Sequence, residues 1–117
     1  MHCSRDEFEA LVSEALDTIP PGLAQLMDNV VVFVEDEPPS DEPELLGVYD
    51  GIPLTERGHD YMGIDLLPDS ITIFRGPLQR MCDSRADIVD EVRITVVHEI
   101  AHHFGIDDER LHALGWA

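Results

Sequence analysis

The sequence predicts an α+β domain in which a small β-sheet packs against helices. Three observations support this class: an amphipathic stripe near the N-terminus, β-branched runs in the middle, and a long capped helix near the C-terminus. The chain has 117 residues, of which 44% are hydrophobic, enough for one hydrophobic core. No repeat or linker divides it, so we expect a single domain over residues 1–117.

The first predicted element is an amphipathic helix that begins after Ser4. Ser4 and Glu7 form the S-x-x-E pattern of a capping box. Apolar residues recur at three- to four-residue spacing from Phe8 to Ile19, which makes one stripe suited to burial. The two prolines that follow this stripe end the helix, because neither can donate a backbone hydrogen bond.

Three short segments are predicted to be strands. Val30–Val34 and Ile71–Arg75 are rich in β-branched residues, and Leu45–Tyr49 precedes an Asp-Gly turn. The acidic, proline-containing residues 35–44 and the polar residues 55–70 are expected to be loops. This arrangement predicts a small sheet between the helical ends of the chain.

The longest predicted helix runs from about Arg85 to His103, after a connector over Leu78–Asp83. Ser84 is its expected N-cap, and Gly105 lies where a left-handed residue commonly ends a helix. Many of its apolar residues are β-branched, so burial rather than intrinsic propensity must stabilise it. A short last helix is predicted over residues 108–114.

The charge excludes two classes of partner. The chain has 25 acidic and 7 basic residues, all of the latter Arg, for a net charge of −18. Nucleic acids and anionic membrane surfaces attract clustered cations, so neither is an expected partner. The N-terminus lacks the pattern of a signal peptide, and Cys3 and Cys82 are too few for a disulfide framework. We therefore expect a cytoplasmic location.

The chemistry is carried by the predicted long helix, which contains the pattern HExxH from His98 to His102. Two histidines four residues apart lie on one face of a helix, so both imidazoles can reach one ion. Glu99 lies about 100° around the helix from His98, where a carboxylate can act as general base without taking a ligand position. The pattern predicts a zinc site, since zinc lowers the pKa of a bound water to about 7.

A third zinc ligand is expected just beyond the end of this helix. Fifteen residues follow His102, and Gly105 allows the backbone to reverse there. Asp108, six residues after His102, completes the pattern HExxHxxGxxD. The alternatives are Asp107, Glu109 and His112.

The run HEIAHHFGIDD over residues 98–108 resembles the small bacterial zincin-like proteins known as minimal metalloproteases. HExxHxxGxxD is also similar to the metzincin arrangement in its snapalysin-type, aspartate form. The resemblance implies a minimal zincin-like fold, with zinc on His98, His102 and Asp108 and with Glu99 as base. It also implies that the strand within Ile71–Leu78 is the sheet edge beside the active-site helix. Metzincins place a methionine turn after the third ligand, whereas all four methionines here precede the motif.

Two functions follow as hypotheses. The first is a zinc-dependent hydrolase, a metallopeptidase, whose extended peptide or protein substrate pairs with Ile71–Arg75. The second is a non-catalytic, zinc-stabilised acidic binding module. His112 and Tyr61 are candidates for stabilising a transition-state oxyanion, and His103, which lies off the ligand face, is expected to pack.

Overall fold

The computed structural model describes residues 2–51 and 69–116 of the chain. In chain order the elements are α1 (Arg5–Leu16), α2 (Pro21–Leu26), β1 (Val30–Glu35), β2 (Gly47–Asp50), β3 (Asp69–Phe74), α3 (Arg75–Met81), α4 (Arg85–His103) and α5 (Asp108–Leu114). Helices packed on a small mixed sheet confirm the predicted α+β class. Most of the predicted loop over residues 55–70, including Tyr61, lies outside the described residues.

The sheet has the strand order β1-β3-β2. β3 pairs with β1 in parallel and with β2 in antiparallel, so both of its sides are occupied. The prediction that the strand within Ile71–Leu78 forms the sheet edge is therefore wrong. A substrate paired with Ile71–Arg75 as an added strand stays a prediction, but both sides of this strand are already paired. Ile71 and Ile73 are fully buried in this central strand. Arg75 lies outside it, and its guanidinium pairs with Asp36 at 3.0 Å.

α3 corrects the predicted connector over residues 78–83. The Gly-Pro pair that follows β3 was expected only to stop the strand, yet it lies within the first turn of a helix. A proline is tolerated there because the first backbone N–H groups of a helix have no partner within it. Leu78 is fully buried and its neighbours Pro77 and Gln79 are also buried, so burial anchors this short helix.

The hydrophobic core lies between the sheet, α1 and α4. The predicted capping box begins α1: the Ser4 hydroxyl accepts from the Glu7 backbone at 3.2 Å. α1 and β2 both pack on α4, which makes α4 the central helix of the described chain. The residues buried from α1 and α4 are Phe8, Leu11, Val12, Ala15, Ile88, Val92, Thr95, Val96, Val97, Ile100 and Ala101.

Neither cysteine is bridged. Within the described residues Cys3 and Cys82 form no disulfide, and both are buried. Burial raises the pKa of the Cys82 thiol, and the nearby carboxylates of Glu91 and Asp87 raise it further. A buried thiol with a raised pKa has little thiolate and is chemically inert, so we assign Cys82 to packing. Cys3 is a member of the same buried hydrophobic core. No helix within residues 2–51 or 69–116 has the length and apolarity needed to cross a bilayer.

β2 comes very close to its neighbours at Gly47. A Cβ atom at this position would lie 2.9 Å from Cγ2 of Thr95 and 3.1 Å from the backbone oxygen of Thr72. Because a backbone oxygen cannot rotate away, we expect Gly47→Ala to lower the free energy of unfolding by about 1–3 kcal/mol, measured by urea denaturation. A Thr95→Ser background removes Cγ2 and keeps the hydroxyl, so Gly47→Ala should cost less there. An equal cost in both backgrounds would contradict close packing of β2 on α4.

Candidate metal centre

The HExxH segment occupies the last turns of α4. This helix begins after the Ser84 cap and ends at residue 103, as the sequence predicts. Val96 and Ile100 are fully buried, which fixes the rotation of α4 about its axis. His98 and His102 are consequently held on a side of the helix that remains accessible.

The two histidines are arranged as a pair that can share one ion. The ring centroids of His98 and His102 are 5.9 Å apart and their planes differ by 21°. A tetrahedral zinc bound by two imidazoles places the centroids roughly 5 Å apart. The observed separation is close to this value, so small rotamer changes would bring both rings onto one metal ion.

The turn after α4 brings Asp108 close to His102. Gly105 adopts a φ of 76°, and the N–H of Ile106 donates to the Ala101 carbonyl at 2.8 Å, as in a Schellman motif. The chain therefore reverses, and Oδ1 of Asp108 lies 3.6 Å from Nε2 of His102. Two ligands of one tetrahedral zinc are separated by roughly 3.3 Å. The distance between His102 and Asp108 is therefore also close to that expected for two zinc ligands.

The His98–His102 and His102–Asp108 pairs are not arranged as a complete set of three zinc ligands. Within residues 2–51 and 69–116, no group of three or more histidine, cysteine or acidic side chains is already gathered as a metal would require. The side chains of His102 and Asp108 are 59% and 69% exposed, so neither is locked in its rotamer by packing. The donor chemistry and the pairwise distances fit zinc, and the remaining adjustment falls on exposed side chains.

Asp107, an alternative third ligand, has another role. Its side chain accepts a hydrogen bond from the Arg110 backbone at 2.8 Å and caps α5. We expect Asp107→Ala to destabilise the metal-free protein by about 1 kcal/mol and to leave zinc affinity nearly unchanged. Asp108→Ala should instead weaken zinc binding. Urea denaturation and titration against a chromophoric chelator separate the two effects, and the reverse pattern would make Asp107 the ligand.

The candidate centre faces a cleft of about 250 Å³ between α4 and the start of β2. Its lining residues are Leu45, Leu46, Gly47, Glu91, Ile94, Thr95, His98, Glu99 and His102. His98, Glu99 and His102 therefore share one concave surface, as the HExxH pattern predicts. We call this space the metal-side cleft.

Glu99 is held by the strand that forms the opposite wall. Burial raises the pKa of the Glu99 carboxyl, while His102, a hydrogen bond from the Tyr49 backbone and His98 act in the opposite direction. A carboxylate that is partly shielded from water and close to two imidazoles suits a general base. The sequence predicts this role but gives no sign that Tyr49 contacts Glu99.

A second group of side chains, which sequence reasoning missed, adjoins the centre. The rings of Tyr49 and His103 are stacked, with centroids 3.9 Å apart. The Tyr49 hydroxyl donates to Oδ2 of Asp69 at 2.6 Å, and Nε2 of His103 lies 3.9 Å from the same oxygen. His103 thus packs against β2, in keeping with its position off the ligand face. Only long-range pairing of β2 and β3 brings this group together, so no local sequence signal reveals it.

Comparison with known proteins agrees with this geometry. The family of zincin-like metallopeptidases matches residues 27–116, which contain the sheet, α4 and α5. A solved structure of a conserved hypothetical protein from Thermus thermophilus is 25% identical, with a TM-score of 0.58. The likeness covers 87% of this chain and 94% of that one. No curated protein matches the chain.

The family match spans about three quarters of the chain and includes the whole HExxH helix. It confirms the predicted likeness to small zincin-like proteins, whereas the finer likeness to metzincins and snapalysin stays a prediction. At the level of the family, the function is of the metallopeptidase type. The chain belongs to the zincin-like metallopeptidase family.

Proposed function

We propose that this protein is a zinc-dependent peptidase in which His98, His102 and Asp108 hold the metal ion and Glu99 is the general base. The observation that carries the proposal is the metal-side cleft, which gathers His98, Glu99 and His102 on one concave wall. Oδ1 of Asp108 lies 3.6 Å from Nε2 of His102, one of these two histidines. When bound, zinc supplies a Lewis acid that polarises a peptide carbonyl and lowers the pKa of a water.

Glu99 has the position and environment for proton transfer. It lies between the two histidines in sequence and is displaced from their face of the helix, so it does not compete with them for the metal. In the proposed reaction its carboxylate takes the proton of the attacking water and passes it to the leaving amine. The hydrogen bond from the Tyr49 backbone orients the carboxylate for this role.

The substrate is an extended peptide that lies along β2. The Phe74 N–H donates to the Leu46 carbonyl, and in an antiparallel ladder alternate residues face the partner strand. The backbone groups of Gly47 and Tyr49 therefore face the outer edge, beside α4. Tyr49 engages Glu99 there, and Gly47 offers its outward groups to a substrate backbone. This edge replaces the Ile71–Arg75 edge expected from the sequence.

Metal content and hydrolysis together test the proposal. Untagged protein purified without chelators should contain about one zinc per chain by elemental analysis, as three protein ligands imply. The zinc-loaded protein should cleave members of a random peptide library, detected by mass spectrometry. A metal-free preparation of the same protein is the control and should cleave none of them.

Two outcomes would contradict the proposal. Absence of zinc after reconstitution would exclude the proposed metal centre itself. Stoichiometric zinc without hydrolysis of any peptide would favour the acidic binding module, in which the metal only stabilises the fold. The two failures are distinguished by the elemental analysis alone.

A further inference from the structure

A second cavity, of about 380 Å³, adjoins the metal-side cleft. Its lining residues are Pro43, Glu44, Leu46, Pro77, Arg80 and Met81. Leu46 lines both spaces, so they adjoin at this residue, and we refer to the two together as the groove. We call the second cavity the apolar pocket, because most of its walls are proline, leucine and methionine side chains.

The direction of the groove follows from the packing of β2 on α4. Gly47 lies against Thr95, and two residues later Tyr49 contacts Glu99. The strand and the helix therefore run in the same direction. Leu46 and the apolar pocket consequently lie towards the N-terminal half of α4, away from His102.

The length of the groove sets the spacing that a substrate must satisfy. On α4, Glu91 precedes His98 by seven residues and His102 by eleven. At about 1.5 Å per helical residue these intervals are roughly 10 and 16 Å, or about three to five residues of extended peptide. Glu91 lines the end of the metal-side cleft that is farther from His102. A peptide cut at the metal centre would thus have its third to fifth residue from the cut bond at that end, where the apolar pocket adjoins the cleft at Leu46.

The charges around the apolar pocket favour a cationic neighbour. Arg80 makes two hydrogen bonds to the Glu37 carboxylate, so its charge is compensated. Glu44 makes no ion pair within the described part of the chain, and Glu91 lines the adjoining cleft. The net charge of −18 attracts cations to the whole surface and repels a second copy of this chain.

We propose that the apolar pocket is a substrate subsite that takes one apolar side chain, next to a lysine or arginine that faces Glu44. The substrate class is then an extended peptide with an apolar residue about three to five positions from the cut bond. This inference rests on the proposed peptidase function and specifies which side chains the substrate should carry. Met81 is 53% exposed in the pocket wall, so an apolar side chain placed there would remove its surface from water.

The test uses the zinc-loaded full chain and the same random peptide library. Cleaved peptides should be enriched in apolar residues three to five positions from the cut, with an adjacent lysine or arginine. Met81→Glu should abolish the apolar preference, and Leu114→Glu, which places the same charge at another exposed apolar site on α5, should not. Glu44→Gln should weaken the basic preference, and Glu42→Gln is its matched control.

A binding measurement gives a second readout that does not depend on turnover. A fluorescent peptide chosen from the cleaved set is titrated into Glu99→Gln, with and without Met81→Glu. Loss of one apolar contact should weaken binding by about tenfold or more. Thermal melting verifies that Met81→Glu is folded.

The outcomes separate the subsite from the peptidase. Cleavage without an apolar preference, or equal affinity with and without Met81→Glu, would overturn the subsite and leave the peptidase standing. No cleavage by the zinc-loaded wild type would overturn the peptidase and the subsite with it.

Discussion

Replacing Glu99 with glutamine is expected to lower kcat for peptide hydrolysis by about 10²–10⁴-fold, the usual contribution of a general base. The amide keeps the size of the side chain but cannot take a proton from water. Zinc content should not change, because His98, His102 and Asp108 remain. The measurements are initial rates on a cleaved peptide and elemental analysis of the same preparation.

The matched control is Glu14→Gln, which removes the same charge from an exposed position on α1. It should leave both kcat and zinc content unchanged. Full activity in Glu99→Gln would exclude this residue as the base. Loss of zinc in Glu99→Gln would instead make Glu99 part of the metal-binding set.

Replacing His102 with alanine is expected to weaken zinc binding by more than about 100-fold, since even residues that only support zinc ligands contribute 10–100-fold. His103→Ala, one position further along, should leave zinc affinity within about tenfold of the wild type. The difference follows from the structure, because His103 is stacked on Tyr49 and does not line the metal-side cleft. Titration against a chromophoric chelator measures both affinities.

His103→Ala has its own expected effect. It removes a stacked aromatic pair between α4 and β2, which is worth about 0.5–1.5 kcal/mol of the free energy of unfolding. The metal-free variant should therefore melt below the metal-free wild type. Equal losses of zinc affinity in His102→Ala and His103→Ala would contradict the assignment of the two histidines to different faces of α4.

Local signals in the sequence were sufficient to predict where the helices that carry the candidate site begin and end. Ser84 and Gly105 delimit α4, and the bounds of both α4 and α5 agree with the prediction. Cap residues act within one turn of the helix end, so their effect is readable from a few neighbouring residues. α3 was missed because Gly76-Pro77 resembles a stop signal, although proline fits the first turn of a helix equally well.

Strand order could not be read from the sequence. β1 and β3 are both rich in β-branched residues, yet Phe33 in β1 is 52% exposed and Ile71 in β3 is fully buried. The position of a strand in a sheet depends on pairing between distant segments, which short-range alternation does not encode. For the same reason, the contact of Tyr49 with Glu99 and the position of Leu46 in the cleft wall could not be predicted.

The segment after α4 has a consequence for how the protein would be loaded with metal. Trp116 packs on Gly22 of α2, where an added Cβ would lie 2.5 Å from its ring. Asp108 lies between this anchor and the Gly105 turn, so docking of the last helix holds the backbone of one proposed ligand in place. Under the proposed ligand set, docking of the C-terminal segment and uptake of zinc would be linked equilibria, each favouring the other. A substitution that frees Trp116 should then lower the affinity for zinc.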